Sequence, residues 1–165
     1  MCLLAGYGLV ISMTALEREP LRRYTQDDDP VYKDSALEGF FDFAPGKPET
    51  GYLNFEMNSN GALLSEYGGN GNRRAVKECT PWRACCEAVR EEEQWSVLLR
   101  IPMELICDLY GRAPLAVGDT FTCNFYKISE DPVLEHYASC YPIISPVPNF
   151  HLPEFFGHAI ICEAM

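Results

Sequence analysis

The sequence predicts an all-β fold, a sandwich or barrel of short antiparallel strands with one short helix. Three observations carry this expectation. Apolar and polar residues alternate in short runs, clusters of Gly, Pro, Asn and Asp separate those runs, and helical periodicity is nearly absent.

The first run, 3–15, has Val10, Ser12 and Thr14 alternating with Ile11, Met13 and Ala15, and reads as a strand. A second strand is expected over 35–43. The clearest is 52–58, Tyr-Leu-Asn-Phe-Glu-Met-Asn. Successive strand side chains point to opposite faces, so Leu53, Phe55 and Met57 share the core face. Tyr52, Asn54, Glu56 and Asn58 share the other, a row of hydrogen-bonding groups about 7 Å apart that is expected to look toward solvent or a polar, ring-shaped ligand. Asn58-Ser59-Asn60-Gly61 is a tight-turn signal leading into a strand at 61–66. Residues 67–74, rich in Gly and Asn, read as a flexible loop. Strands follow at 84–89 and 94–101, joined by the polar Arg90-Glu91-Glu92-Glu93, with Trp95, Val97, Leu99 and Ile101 on one inward face. Pro102 pre-sets a first helical turn, Met103 to Tyr110 make two turns and Gly111 ends them. The last strands are expected at 120–128, 137–142 and 158–163. No repeat, linker or low-complexity tract divides the chain, so 1–165 reads as a single domain.

A chain of 165 residues, 47% apolar and 12% aromatic, can bury a core without disulfides. Its formal charge of −11 argues against nucleic acid and anionic membranes, which need clustered Lys and Arg, and is compatible with neutral ligands such as sugars. No apolar run reaches the roughly 18 residues that span a bilayer. Met1 to Ser12 lacks the basic region and cleavage site of a signal peptide. The eight cysteines, at 2, 79, 85, 86, 107, 123, 140 and 162, form no Cys-x-x-Cys pair, and several lie inside strand patterns. Reduced thiols in a cytoplasmic protein are therefore expected, or an extracellular setting if the natural chain begins earlier.

Three blocks occur in order: Asp29-Pro-Val-Tyr-Lys-Asp-Ser35 running on to Glu38-Gly-Phe-Phe41, then Tyr52 to Asn58 with Asn60-Gly61, then Asn149-Phe-His-Leu-Pro-Glu-Phe-Phe-Gly157. With Asn124-Phe-Tyr-Lys127 and His136-Tyr-Ala-Ser139, they resemble the carbohydrate-binding family 9-like proteins, relatives of the family 9 modules attached to bacterial xylanases. The likeness runs from about residue 3 to the end. It implies an immunoglobulin-like or jelly-roll-like antiparallel β-sandwich and a non-catalytic role in holding saccharides. In that family a sugar ring sits between two tryptophans, with Glu, Arg and Asn on its hydroxyls. Glu38 matches the acidic position, Phe150 matches one tryptophan, and Val31 or its neighbour Tyr32 matches the other. The arginine falls near Glu56, which reverses the charge, and a further family tryptophan is replaced by Cys140. Relatives carry residues before the equivalent of Leu3, so the domain is expected either to lack its first strands or to begin late. Lacking them, it would keep an open sheet edge on which a homodimer can form.

These readings make Tyr32, Glu38, Asn54, Glu56, Asn124 and Phe150 the candidate ligand-binding residues, with a saccharide as partner. The competing reading makes Phe150 and Phe155 core plugs and the polar groups merely solvated. No cofactor is required. Asp27, Asp28, Asp29 and Asp34 are weak candidates for a structural calcium, as some family 9 modules bind one, against the plainer reading of a solvated acidic turn. His136, His151 and His158 share no ligand spacing, and His151 reads as fixing a loop. No catalytic residue is assigned, although Glu38, Glu56 and Glu154 are the carboxyls from which a glycosidase pair would be drawn. Cys85-Cys86 has no base nearby in sequence. The expected function is non-catalytic saccharide binding. The alternatives are an interaction module that kept the sandwich and lost the ligand, or a small glycoside hydrolase.

Overall fold

Two antiparallel sheets face each other across an apolar core in the computed structural model, which describes residues 1–47, 49–69 and 71–163. In chain order the strands are β1 (Cys2–Leu4), β2 (Gly8–Ala15), β3 (Ser35–Asp42), β4 (Tyr52–Asn58), β5 (Leu63–Gly69) and β6 (Asn72–Ala75). They continue with β7 (Cys85–Arg90), β8 (Trp95–Pro102), β9 (Thr120–Ser129), β10 (His136–Ser139) and β11 (Gly157–Ile160). A one-turn helix α1 (Val76–Cys79) follows β6, and α2 (Met103–Tyr110) follows β8. The smaller sheet runs β1-β2-β8-β7. The larger runs β10-β9-β3-β4-β5-β6, with β11 pairing the same edge of β9 as β10, further along. The sandwich and α2 are as expected. Among the described residues no helix is long and apolar enough to cross a membrane.

The core follows from side-chain parity. Leu9 and Ile11 of β2 and Trp95, Val97, Leu99 and Ile101 of β8 point from the small sheet. Leu37 and Phe41 of β3, Leu53, Phe55 and Met57 of β4, and Phe121 and Cys123 of β9 meet them from the large one. Each such ring or branched chain contributes about 2 kcal/mol by leaving water. Helix α2 closes one end: Leu105, Ile106 and Tyr110 are buried, and Tyr110 Oη donates to the carbonyl of Phe41 at 3.1 Å. Gly111 stops it at φ 56°, ψ 40°, its N–H returning to Cys107, as a left-handed cap requires.

Several boundaries differ from expectation. The first run breaks in two at residues 5–7, where the Tyr7 N–H bonds Leu4 O at 3.1 Å and β1 folds back on β2. Gly8 permits this: its φ is +146°, and a Cβ there would lie 2.1 Å from the Ile101 carbonyl oxygen. The strand expected at 61–66 starts at Leu63, because the Asn58 side chain holds the turn by accepting the N–H groups of Asn60 and Ala62. Residues 67–74 are not a flexible loop. β5 runs to Gly69 and pairs β6 from Glu66↔Ala75 to Gly69↔Asn72. Polar alternation too short to stand out among glycines concealed this hairpin.

The largest correction concerns the outer face of β4. All seven of its residues are buried, Asn54 and Asn58 completely. A second apolar cluster of Phe40, Tyr52, Tyr126 and Phe156 covers one end of that face, with Ile143 and Phe150 packed on it. Parity is as expected, but the amides are roofed over by chain from elsewhere. All eight cysteines are free thiols.

Candidate functional site

The outer face of the large sheet is overlaid by two irregular segments, and polar side chains from the strands fasten both. At one end, Asn58 Nδ2 donates to Tyr24 O and to Asp34 Oδ2, each at 2.9 Å. Asn60 Nδ2 donates to the carbonyls of Arg22 and Tyr24. At the other end Asn124 of β9 holds the segment between β10 and β11. Its Nδ2 donates to Tyr141 O at 3.1 Å and Phe155 O at 3.4 Å, and its Oδ1 accepts the Tyr141 N–H at 3.0 Å. That segment carries Phe150, whose ring stacks on Tyr126 with centroids 4.2 Å apart and planes 11° from parallel.

Between the two overlays a cavity of about 510 Å³ opens over the middle of the sheet. Its floor is Glu38 of β3 and Glu56 of β4, which are direct cross-strand partners. Leu64 and Glu66 of β5 and Arg73 of β6 extend the floor on one side, and Ile128 of β9 on the other. Tyr32, Tyr137, Phe150 and His151 form aromatic walls, and Glu130 and Glu135 stand at the rim beside Tyr137.

Four of the six residues expected from the sequence therefore converge: Tyr32, Glu38, Glu56 and Phe150. The other two lie beneath or beside the cavity. Asn54 is fully buried and donates to Glu56 Oε1 at 3.0 Å, so it orients the carboxyl. Asn124 is the latch described above. Val31, the other match to the tryptophan position, is wholly buried, which leaves Tyr32 to face the cavity.

The two floor carboxyls are unusual. Glu38 is 2% exposed and Glu56 4%. Burial, and then the charge of Glu56, pushes the Glu38 carboxyl well above the ordinary carboxylate range. Burial, and then the charge of Glu66, raises Glu56 to about 7, with Arg73 opposing. Both carboxyls therefore hold their protons more tightly than ordinary acids, and they titrate as a pair. Glu56 Oε2 is buried with no hydrogen-bond partner, and so is Asn54 Oδ1. A protonated carboxyl can donate and accept, which suits hydroxyl groups that do the same.

Arg73 of β6 is the cation that lines the cavity. It is 3.2 Å from Glu66 Oε2, and its Nη1 donates to Tyr52 Oη at 3.4 Å. The phenol in turn lies 2.8 Å from His151 Nδ1. Burial, and then the Arg73 charge, depresses His151 to about 3, so the ring is neutral and shares a hydrogen bond with the phenol. His151 thus fixes the 148–151 roof, as expected of it. Sequence reasoning did not single out Glu66, Arg73 or Tyr137: Arg73 lay in a stretch read as loop, while Glu66 and Tyr137 lay at the ends of expected strands with nothing in their pattern to mark them as site residues.

The four acids considered for calcium do not converge. Asp34 binds Asn58, the Tyr24 N–H and Arg23; Asp27 accepts the Leu63 N–H; Asp28 pairs with Lys77; Asp29 accepts the Gln26 N–H. Among the described residues no three His, Cys, Asp or Glu side chains group as metal ligands.

No protein of curated function matches the chain. Its fold is shared by solved structures, two of which are informative. A candidate carbohydrate-binding protein from Bacteroides uniformis ATCC 8492 aligns over 92% of this chain and 71% of its own, with a TM-score of 0.69 and 23% identity. A carbohydrate-binding module family 9 from Caldicellulosiruptor kristjanssonii, solved in complex with glucose, aligns over 94% of this chain and 71% of its own, with a TM-score of 0.65 and 13% identity. The family model described as carbohydrate-binding family 9 matches residues 5–161, a span that takes in every residue lining the cavity, and the chain belongs to that family.

Proposed function

We propose that this protein binds a saccharide, without acting on it chemically, in the cavity over Glu38 and Glu56. The observation that carries this reading is the Oε2 of Glu56, without a hydrogen-bond partner among the described residues, in a polar floor walled by aromatic rings. A buried acceptor without a donor costs about 1–3 kcal/mol, and a ligand hydroxyl that supplies the donor recovers it. Tyr32, Tyr137 and Phe150 offer flat apolar faces to the C–H side of a sugar ring, and the cavity lies within the size range of small-molecule sites. The glucose held by the C. kristjanssonii relative supports the same class of ligand.

One feature favours a second reading, a glycoside hydrolase: two carboxyls with raised proton affinity sit side by side. A hydrolase, however, needs its pair on opposite sides of the scissile bond. Glu38 and Glu56 rise from adjacent strands of one sheet face, so both approach a ligand from below.

Titration with glucose, cello-oligosaccharides and xylo-oligosaccharides, followed by NMR shifts and heat, tests the proposal. Binding of millimolar strength or better, about −4 kcal/mol, is expected, with Glu38→Gln weakening it. Silence toward every glycan would remove the proposal, and turnover of a chromogenic glycoside that Glu38→Gln or Glu56→Gln abolishes would favour the hydrolase.

A further inference from the structure

We propose that the saccharide this cavity selects carries a free amine: it is a cationic amino sugar, whose ammonium group sits against the Glu38–Glu56 floor. The inference rests on the saccharide-binding reading above and narrows it to a ligand class.

Charged groups face the cavity from several of the elements packed on it. Glu38 comes from β3, Glu56 from β4 and Glu66 from β5, while Glu130 and Glu135 flank the link between β9 and β10. Among the described residues five carboxyl groups line the cavity beside one guanidinium, Arg73, which is already paired with Glu66 and bonded to Tyr52; Lys127, whose charge also bears on Glu38, is held by Glu17. His151, the remaining titratable wall, is neutral. A site so lined repels uronic acids and phosphorylated sugars and leaves negative charge unmatched at its floor.

An acidic lining alone would be ordinary solvated surface. Here the decisive carboxyl is not solvated, because Glu56 is 4% exposed and its Oε2 has no hydrogen-bond partner. A neutral hydroxyl answers that atom with one ordinary hydrogen bond. An ammonium group answers it with three donors and a full charge, and can bridge from Glu56 to Glu38 across the strand pair. Its arrival favours the ionised form of Glu56, so the proton that carboxyl holds near neutral pH passes to solvent and is replaced by the ligand's charge. The aromatic walls explain why the amine should be borne on a sugar ring: Tyr32, Tyr137 and Phe150 hold the ring while the floor reads its substituent.

The test compares glucosamine and its β-1,4-linked dimer with glucose, cellobiose, N-acetylglucosamine and glucuronate near neutral pH, by calorimetry in two buffers of different ionisation enthalpy. Glucosamine should bind about tenfold more tightly than glucose, the scale of one charge-assisted contact. N-acetylglucosamine, which lacks the charge, should lose the advantage, and glucuronate should bind more weakly than glucose. The heat for glucosamine should depend on the buffer, reporting proton release, and that for glucose should not. In Glu56→Gln the ratio of the two affinities should fall toward one. If glucose binds as well as glucosamine, or glucuronate binds best, the amine inference is overturned and saccharide binding stands. An affinity gain without proton release would place the amine away from Glu56 and overturns it too. If no sugar in the panel binds, both readings fall.

Discussion

Glu38 and Glu56 face each other across β3 and β4, and each is almost wholly buried, on the side of the large sheet that points away from the main core. Two carboxyls opposed in this way destabilise the fold, since like charges cannot both ionise in a dry site. Asn54 relieves one oxygen of Glu56, and Arg73 lies close enough to oppose the field of the other acids without touching the pair. Nothing in the packing of the sandwich needs acids there; an amide pair would fill the same space. Such a feature is explained by a ligand better than by stability.

The cost should be visible in how stability changes with pH. Glu56 has an ordinary value of 4.5 when unfolded and about 7 when folded. Between those limits the folded chain holds the extra proton, so this group makes stability fall as pH rises, by about 3 kcal/mol in all. His151 acts oppositely, because its folded value of about 3 lies below the ordinary 6.5, and stability is lost as pH falls through that window. The two oppose each other only in the window they share, between about 4.5 and 6.5, and the raised Glu38 carboxyl acts in the same direction as Glu56. Urea denaturation across pH should therefore show Glu56→Gln gaining on the native chain steadily as pH rises past 4.5, with the difference levelling above about 7. A pH-independent difference would mean that Glu56 titrates as an exposed acid.

Asn124 offers a test of how the site is held together. Its amide bonds both ends of the segment that carries Phe150 and His151, through Tyr141 and Phe155. Asn124→Ala leaves the carbonyls of Tyr141 and Phe155 and the Tyr141 N–H, all partly exposed, without this partner, at about 1–2 kcal/mol. The expected result is a folded protein with a lowered melting temperature, new protease cleavage within 140–156 and at least about tenfold weaker saccharide binding. Retained binding together with a loosened segment would show that the roof is dispensable.

The sheet could be read from the chain because its signals are local. Leu53, Phe55 and Met57 declare their parity within seven residues, and Pro102 and Gly111 bracket α2. What covers the sheet could not be read. Asn54 and Asn58 look like wet-face residues, and only the fold brings Tyr24, Asp34 and the 140–156 segment onto them. Those covering segments have neither helical nor strand period, so nothing in their pattern announces burial. The family likeness pointed to Glu38 and Phe150 as cavity residues. Arg73 escaped because its hairpin is built on Gly71, at φ +78°, amid residues that otherwise read as loop.

Phe150 separates a platform from a plug. One face of its ring lies on Tyr126, and its edge meets Tyr137 at 6.2 Å between centroids. It is only partly buried, so Phe150→Ala should cost the fold little, about 1 kcal/mol. If a sugar ring stacks there, binding should weaken about tenfold. Calorimetric titration of the variant beside its urea midpoint distinguishes the cases. A large stability loss with unchanged binding would make Phe150 a core residue.

A half-buried ion pair between Glu17 and Lys127, the latter opposite Leu37 in the β3–β9 pair, is not used by the saccharide reading. Glu17 Oε2 accepts Trp95 Nε1 at 2.9 Å and Ser35 Oγ at 2.6 Å, and lies 3.3 Å from Lys127 Nζ. Burial alone would raise the Glu17 carboxyl, but these donors more than offset it and hold it below the usual 4.5. Its contribution is therefore present above that value and lost as pH falls through the folded one. Glu17→Ala strands the half-buried Lys127 ammonium and the Trp95 indole N–H, and should destabilise by about 3 kcal/mol. Glu17→Gln keeps an acceptor for Trp95 and should cost less, while removing part of the acid-side loss of stability. Tryptophan fluorescence during urea denaturation reads both variants, because Trp95 is the wholly buried indole at the centre of the network. Equal stability of Glu17→Ala and the native chain would show that Lys127 finds another partner, with the nearby His136 Nε2 at 2.9 Å the first to examine.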